Sequence, residues 1–270
     1  MIQAHNLTLE FQDGPLKLPV LQGVNLHIRQ GEWLALTGAN GCGKSSLIRT
    51  FNGLIIPTGG SLNAAGLDLR DPVNRKTVKE RIQLVFQNPE SQSIGSTPFE
   101  DIAFGLENRG ISRQEMRNRI KVLLEKVGLT HKAEDDIATL SGGQRQRLAV
   151  ASCLALDADM IMFDEVTSML DPIGRREIFS LAQDLWKQGT TVLWVTQRME
   201  ELCESPRIAV MEAGRMIYDG DPRTLFYNSS LPDAFMWEFP PVIGIGRLLQ
   251  RQGLAETLLP LTEKDLEAIL

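Results

Sequence analysis

No part of this sequence is long and apolar enough to cross a membrane. The longest apolar stretch, Leu148–Leu156, has nine residues, whereas a membrane-spanning helix needs about 20. The first residues, MIQAHNLTLEF, contain neither the basic region nor the apolar region that is typical of a secretory signal peptide. We therefore expect any association with a membrane to depend on a partner protein.

The chain also lacks a surplus of basic residues and a pair of closely spaced cysteines. Its formal net charge is −6, which argues against the basic surface of a nucleic-acid-binding protein. The three cysteines, Cys42, Cys153 and Cys203, are far apart and have no metal-binding spacing, so we expect reduced thiols. Hydrophobic residues make up 43% of the 270 residues, which is enough for one large globular domain or for one domain with an appendage.

A glycine-rich segment, GANGCGKSS (Gly38–Ser46), has the spacing of a phosphate-binding loop. Backbone N–H groups of such a loop surround a phosphate chain, while Lys44 reaches the outer phosphates and Ser45 offers its hydroxyl to Mg²⁺. The apolar segment Trp33–Thr37 before it suits a buried strand, and Ser46–Phe51 after it suits a helix. The residues that we assign to nucleotide binding are Gly38, Asn40, Gly41, Cys42, Gly43, Lys44, Ser45 and Ser46.

Two adjacent acidic residues follow a second apolar strand. Met160–Asp164 has four apolar residues before Asp164 and Glu165, and ligands of α/β sheets bind at the carboxyl ends of the strands. Paired acids are usually solvated, but here the apolar run places the end of the strand in the interior. We predict that Asp164 assists Mg²⁺ and that Glu165 orients and deprotonates an attacking water.

Two other features have both a structural and a functional interpretation. Gln87 follows the predicted strand Arg81–Phe86 and is either a strand cap or a residue that reaches the Mg²⁺ of a bound nucleotide. Ser141–Gln144, in the segment LSGGQ, opens a predicted helix that continues to Leu156. Its start is either an ordinary N-cap with glycines or a second anion-binding site.

The remaining segments complete an α/β pattern. An amphipathic helix, Ser112–Val127, begins with the capping-box pattern S-x-x-E. A second helix, Gly174–Lys187, precedes the strand Thr191–Thr196, which Gln197 follows.

The N-terminal region predicts two antiparallel strands. Ile2–Phe11 and Leu21–Ile28 alternate between apolar and polar residues, and a turn is expected at Asp13–Pro19. Phe11 either stacks on an adenine or is a half-buried strand aromatic, and its residue type alone favours the second interpretation.

The composition changes after Ser229. Several prolines interrupt the chain, and Ile243–Gly253 and Glu263–Leu270 predict two short amphipathic helices. A segment of about forty residues is too small to fold alone, so we expect it to dock on the rest of the chain or on a partner.

Taken in order, GANGCGKSS, Gln87, LSGGQ, MIMFDE and MLD (Met169–Asp171) resemble the motifs of the ATP-binding-cassette (ABC) ATPases. The likeness covers nearly all of residues 2–226. It implies a P-loop α/β fold with a RecA-like parallel-sheet core, an N-terminal antiparallel β subdomain, a helical subdomain with LSGGQ and a small C-terminal helical appendage.

The resemblance also implies how ATP is bound and hydrolysed. ATP is sandwiched in a head-to-tail dimer, where the nucleotide loop of one chain faces the signature residues of the other. In this chain the signature residues are Ser141, Gly142, Gly143 and Gln144. The implied roles are Mg²⁺ assistance for Gln87 and Asp164, base for Glu165, and coupling of the two sites for Asp171. Phe11 stands where the family carries an adenine-stacking aromatic.

Two stretches are similar to the ATPases of energy-coupling-factor importers and of the related cobalt and nickel uptake systems. Within Phe86–Ile111, Gln92 matches their extra glutamine, which lies on a short helix that contacts the membrane coupling protein. Pro240–Leu270 resembles their C-terminal dimerisation segment, although generic packing is the alternative.

This resemblance implies an organisation and a set of partners. It implies an ATPase domain over residues 1–228, with a helical subdomain over about 88–157, and a dimerisation segment over 229–270. The implied partners are a second ABC ATPase chain, a transmembrane coupling protein and a separate substrate-binding membrane protein, with no nucleic acid. The chain is then expected at the cytoplasmic face of the membrane.

One residue departs from the family pattern. Gln197, in TQRMEEL, stands where the family usually has histidine, and His5, His27 and His131 all precede Asp164. A glutamine can hydrogen-bond a γ-phosphate or hold a water, but it carries neither a proton nor a positive charge. The site is then slow, or the chain is the weaker half of an asymmetric pair, or the substitution is engineered.

The sequence thus favours an ATP-hydrolysing motor with ATP and Mg²⁺ as its cofactors, in an importer for a vitamin or a transition metal. A cassette that acts on nucleic acid or ribosomes would show basic surface, tandem cassettes or a coiled-coil insertion, none of which the sequence contains. A nucleotide-binding half-site with weak or partner-dependent hydrolysis is the other alternative. Gln197 supports it and Glu165 argues against it.

Overall fold

The structure is a computed structural model that describes residues 1–89, 92–253 and 259–268. Strands and helices alternate along most of the chain, as the sequence predicts for an α/β fold. The strands are β1 (Ile2–Asp13), β2 (Leu16–Ile28), β3 (Trp33–Gly38), β4 (Gly59–Ala64), β5 (Leu67–Asp68), β6 (Ile82–Val85), β7 (Met160–Asp164), β8 (Thr191–Val195), β9 (Ile208–Glu212) and β10 (Arg215–Gly220). The helices are α1 (Lys44–Phe51), α2 (Pro72–Arg81), α3 (Pro98–Glu107), α4 (Arg113–Lys126), α5 (Gly142–Leu154), α6 (Pro172–Lys187), α7 (Met199–Cys203), α8 (Leu231–Ala234), α9 (Pro241–Arg251) and α10 (Glu263–Glu267).

The strands form two sheets. One is antiparallel with the order β2-β1-β4-β5, and the other has the order β10-β9-β3-β8-β7-β6. In the second sheet β9, β3, β8, β7 and β6 run parallel, and β10 is antiparallel to β9. All residues of β3, β7 and β8 are buried, which explains their continuous apolar sequences. The carboxyl ends of β6, β7, β8 and β3 therefore lie side by side at one edge.

An aromatic cluster fixes the central strands to α6. The ring centroid of Trp194 on β8 lies 4.9 Å from Phe163, 5.1 Å from Phe179 and 5.8 Å from Trp33. Trp186 on α6 adds an edge contact with Trp33 at 5.9 Å. Because large rings bury much apolar area, this cluster gives the strand ends a rigid support.

The three helices α3, α4 and α5 have a core of their own. Ile102 from α3, Ile120 and Leu124 from α4 and Leu148 from α5 are buried together. This packing builds the helical subdomain around the helix that LSGGQ opens.

The C-terminal segment docks on the rest of the chain, as its small size requires. Val242 and Ile243 of α9 are buried against Leu202 and Phe226. The last two residues of the predicted helix Glu263–Leu270 lie outside the described residues. No helix in the described part of the chain has the length and apolar character needed to cross a bilayer.

Two local predictions are wrong in detail. The expected turn at Asp13–Pro19 is shorter, because β1 and β2 stay paired as far as Asp13 and Leu16. The capping box of α4 is half formed. The Ser112 side chain accepts from the Glu115 N–H at 3.4 Å, but the Glu115 carboxylate accepts from Arg119 at 2.7 Å, since that arginine lies one turn along the helix.

Candidate active site

The nucleotide loop follows β3 directly and leads into α1. Gly38 has φ +144° and Gly43 has φ +107°, both positive. A Cβ on Gly38 would lie 2.1 Å from the Met211 carbonyl oxygen, and one on Gly43 would lie 2.9 Å from that of Val20. The loop is therefore packed against β2 and β9 so closely that glycine is required at these two positions.

Lys44 directs its charge across the loop. Its side chain is 5% exposed, and Nζ donates to the carbonyl oxygens of Gly38 at 2.7 Å and Ala39 at 3.1 Å. The same Nζ lies 3.6 Å from the Glu165 carboxylate. A buried ammonium needs such acceptors, and phosphate oxygens are acceptors of the same kind.

Ser45 and Asp164 bring two oxygen atoms together. The Ser45 hydroxyl donates to Oδ1 of Asp164 at 3.1 Å, and Asp164 is 2% exposed. Burial raises the pKa of Asp164, and the hydrogen bond from Ser45 opposes that rise. Adjacent oxygens around an octahedral Mg²⁺ are about 2.9 Å apart, so this pair fits the ion.

The protein supplies only part of a metal shell. Throughout the described residues, no group of three or more His, Cys, Asp or Glu side chains is placed to hold a metal ion. This fits Mg²⁺, which is commonly bound by one or two protein groups together with nucleotide phosphates and water.

Glu165 is held from several strand ends at once. It has φ +49°, a left-handed conformation that is uncommon for residues other than glycine, and its N–H donates to the Val195 carbonyl at 3.1 Å. Gln87, after β6, donates to its Oε2 at 3.1 Å. Gln197, after β8, donates to its Oε1 at 3.0 Å. The acid pair, Gln87 and Gln197 therefore meet at the edge predicted from the sequence.

Gln197 joins the acid to the nucleotide loop. Its Nε2 is also 2.5 Å from Oδ1 of Asn40. The side-chain amide thus bridges two groups that face the predicted phosphate site, and it does so without a charge.

Ser141 is the N-cap of α5. Its N–H donates to the Gln144 side chain at 2.9 Å, and its hydroxyl accepts from the Gln144 N–H at 3.3 Å. Ser141 and Gly142 are exposed. The N-cap interpretation is confirmed, and anion binding at this helix start stays a prediction.

Two other predicted residues have structural roles that the sequence did not show. Asp171 is the exposed N-cap of α6 and accepts from the Gly174 N–H at 2.7 Å. The Gln92 amide is turned into the chain, where its Oε1 accepts from the Phe86 N–H at 3.2 Å. The Asp171 N-cap could have been read from the Asp-Pro pair that starts the helix, whereas no sequence signal gives the direction of a side-chain amide.

Phe11 lies on the antiparallel sheet and is 44% exposed. It pairs with Leu18 on β2, two residues before Val20, whose carbonyl lies against the nucleotide loop. Phe11 is therefore a strand aromatic, more exposed than the half-buried side chain expected from its type, and stacking on adenine stays a prediction.

A buried polar network beside this site has no recognisable signal in the sequence. Glu201 on α7 is 6% exposed and accepts from Thr167 and from the Trp194 indole, both at 2.8 Å. It joins the segment after Glu165 to the helix after Gln197.

The arrangement suits hydrolysis of a phosphoanhydride. A cation, two adjacent oxygen atoms of the kind that Mg²⁺ prefers and a carboxylate held by two amides converge on one loop. The carboxylate can accept a proton from a water, and the lysine can neutralise charge on a phosphoryl group.

Comparison with known proteins agrees with this geometry. The model of the ABC transporter family matches residues 21–168, more than half of the chain. The energy-coupling factor transporter ATP-binding protein EcfA1 of Symbiobacterium thermophilum is 40% identical over 92% of this chain and 88% of its own length. The protein of the same name from Bacillus subtilis is 39% identical over 91% of this chain and 88% of its length.

Solved structures show the same fold. CbiO1 from Clostridium perfringens, part of the ABC transporter complex cbiONQ, has a TM-score of 0.75 and 28% identity, covering 90% of this chain and 97% of its own. The ATP-binding cassette MJ0796, in a dimeric post-hydrolysis state bound to ADP and Pi, has a TM-score of 0.77 and 27% identity over 82% of this chain and 98% of its own. The chain is therefore a member of the ABC transporter ATPases, in the group of energy-coupling factor transporter ATP-binding proteins.

Proposed function

We propose that this chain is the ATP-hydrolysing motor of an importer that takes up a vitamin or a transition-metal ion. The observation that supports it is the convergence of the acid pair, Lys44, Gln87 and Gln197 at one sheet edge, in a chain of this family. The cargo itself is inferred from the relatives' group and from no residue of this chain.

ATP binds to the loop Gly38–Ser46. The backbone N–H groups of this loop, including those of Asn40, Gly41, Cys42 and Gly43, surround the phosphates. The Lys44 ammonium then donates to phosphate oxygens in place of the loop carbonyls. The exposed face of the Phe11 ring stacks on the adenine.

Ser45, Asp164 and Gln87 would hold Mg²⁺ through oxygen atoms. When bound there, the ion supplies positive charge to the phosphate oxygens during transfer. Burial raises the pKa of Asp164, and a bound cation beside the carboxylate would favour its charged form.

Glu165 accepts the proton of the attacking water. The amides of Gln87 and Gln197 fix the two carboxylate oxygens and so hold the base in one orientation. Gln197 takes the place of a histidine and acts by hydrogen bonding alone.

Hydrolysis needs two chains. The start of α5, formed by Ser141, Gly142, Gly143 and Gln144, faces the nucleotide loop of a second ABC ATPase chain, and Asp171 couples the two sites. On α9, Ile245 and Leu248 are 42% and 58% exposed, which suits the proposed role of residues 229–270 in dimerisation.

The membrane coupling protein sits in a groove between α2, α3 and α5. This groove has a volume of about 530 Å³ and is lined by Gln92, Ile94 and Phe104, among others. Ile94 is 68% and Phe104 44% exposed, so the groove offers apolar contact to a partner. In the proposed assembly the chain lies at the cytoplasmic face of the membrane, beside a separate substrate-binding membrane protein and without nucleic acid.

The same organisation supports the domain boundaries that the resemblance implies. The separate core of α3, α4 and α5 fits a helical subdomain over about 88–157 within residues 1–228. The docked α9 fits a distinct segment over 229–270.

A second candidate function is a half-site with weak or partner-dependent hydrolysis. It is favoured by the neutral Gln197, whose amide already bonds Asn40 and Glu165. Loss of a charged contact in the transition state costs about one to a few kcal/mol.

Steady-state ATP hydrolysis with Mg²⁺ tests these proposals, with Glu165→Gln and Gln197→His beside the wild type. We expect Glu165→Gln to bind ATP but to lose turnover by about 10²-fold or more. Equal turnover in the wild type and in Glu165→Gln would overturn the assignment of Glu165 as the base. A large gain in Gln197→His would favour the half-site, whereas no gain would favour a competent motor.

A further inference from the structure

Phe86, the residue before Gln87, is bound through both of its backbone groups. Its N–H donates to Oε1 of Gln92 at 3.2 Å. Its carbonyl accepts from Nε2 of Gln146 at 3.2 Å. Gln87 follows immediately and donates to Oε2 of Glu165 at 3.1 Å, so a displacement of the Phe86 backbone would displace this contact.

The two glutamines connect Phe86 to the same helix. Gln146 belongs to α5, one turn after its N-cap Ser141. Gln92 also contacts α5, since its Nε2 lies 3.2 Å from the Cys153 sulfur, and it donates to the Leu84 carbonyl at 3.4 Å. The end of β6 is therefore tied to the signature helix at two points two turns apart.

Gln146 is an unfavourable residue for stability at this place. It is 0% exposed, and its Oε1 is buried without a hydrogen-bond partner among the described residues. A buried acceptor without a partner costs free energy, and an apolar side chain of similar length would avoid that cost. The hydrogen bond from the Gln146 amide to the Phe86 carbonyl gives a reason for a glutamine at this buried position.

We propose that Gln92 and Gln146 are positioning residues that fix Phe86 by its N–H and its carbonyl, so that Gln87 stays on Glu165 and follows α5. The inference rests on the proposed function for the role of Glu165, but the fixation of Phe86 stands on geometry alone.

Hydrogen exchange and kinetics on the full chain test the proposal. Gln92→Met and Gln146→Met should each speed amide exchange in the segment 86–88 by about tenfold. They should lower kcat at least about fivefold with KM for ATP within twofold, because a small displacement of a catalytic contact affects turnover more than binding. Their combination should be less than additive, since both act on Phe86.

Gln83→Met is the matched control. Gln83 is a half-buried glutamine on β6 that donates to the Lys79 carbonyl at 2.6 Å, and its removal should leave amide exchange at 86–88 and kcat as in the wild type. Unchanged amide exchange at 86–88 in both test variants would overturn the proposal. The proposal would also be overturned if kcat fell only in proportion to a lower Tm and Gln83→Met showed the same loss of kcat. If the wild type itself lacks turnover, the proposed function fails, and the exchange result still decides the fixation of Phe86.

Discussion

Replacement of Glu201 by glutamine should destabilise the protein strongly. Its buried carboxylate accepts from Thr167 and Trp194, each at 2.8 Å, and Arg198 lies 3.8 Å away. A glutamine side chain has one acceptor oxygen and one NH₂ donor. It can therefore satisfy one of the two donors, and its NH₂ group faces the other.

The expected loss follows from these contacts. A hydrogen bond to a charged group contributes about 1.5–3 kcal/mol, and a buried donor left without a partner costs about 1–3 kcal/mol. We therefore expect the free energy of unfolding to fall by about 2–4 kcal/mol. For a chain of this size, the Tm should fall by roughly 5–10 °C.

Thermal unfolding followed by circular dichroism measures this effect. Glu200→Gln is the matched control, because Glu200 is the exposed preceding residue on the same helix and its loss should cost less than about 0.5 kcal/mol. A cycle with Thr167→Val should be clearly non-additive. A Tm of Glu201→Gln within about 1 °C of the Glu200→Gln value would refute the argument that this carboxylate joins the two segments.

Three other predictions concern separate parts of the molecule. Gly38→Ala should abolish ATP binding in titration calorimetry, because its Cβ would lie 2.1 Å from the Met211 carbonyl oxygen; Gly244→Ala on α9, whose Cβ meets nothing within 4 Å, should bind normally. Burial raises the pKa of Cys153 and of Cys203 to about 12, so neither thiol should react with a thiol reagent at pH 8 before unfolding. Because these folded-state pKa values lie above that of an unfolded thiol, their stabilising effect is complete below about pH 8.5 and is lost as the pH rises towards 12; higher denaturation midpoints at pH 10 than at pH 8 would contradict this. Ile243→Ala should loosen the C-terminal segment by about 2–5 kcal/mol, seen as faster limited proteolysis there, whereas Gln250→Ala, at an exposed position of the same helix, should be cleaved like the wild type.

The nucleotide loop and the acid pair could be predicted because buried parallel strands have a simple sequence pattern. Four apolar residues before Asp164 place its strand in the interior, and polar side chains at the ends of such strands meet at one edge. Gln87 and Gln197 also follow buried strands, and both donate to Glu165, while their roles towards Mg²⁺ and phosphate stay predictions.

Other elements have no such pattern. Helix α2 buries only Val78 among its described residues, so it shows no apolar stripe, and α3 follows a segment rich in proline, glycine and serine that suggests a loop. The turn after β1 was placed too broadly because β2 begins with four exposed residues. In these segments backbone hydrogen bonds and caps determine the structure, and hydrophobic periodicity does not report them.

The contacts of long polar side chains were also beyond sequence reasoning. Gln92 was assigned to a partner by resemblance, yet its amide bonds Phe86 within the chain. Gln146 and Glu201 lie in polar stretches, where their burial leaves no mark on the pattern. A glutamine can turn its amide in several directions, and only packing selects one.

The tryptophans of the protein form two groups that would report separately by fluorescence, one in the aromatic cluster behind the central strands and one in the C-terminal segment. Trp33, Trp186 and Trp194 lie within excitation-transfer distance of one another, and the Trp194 indole bonds the same carboxylate that anchors the helix after Gln197. Trp237 lies apart, stacked on Phe235 at 5.8 Å in the C-terminal segment. In a Trp237→Phe variant, tryptophan fluorescence would come only from Trp33, Trp186 and Trp194. Their emission would then report motion at the catalytic edge without any added dye.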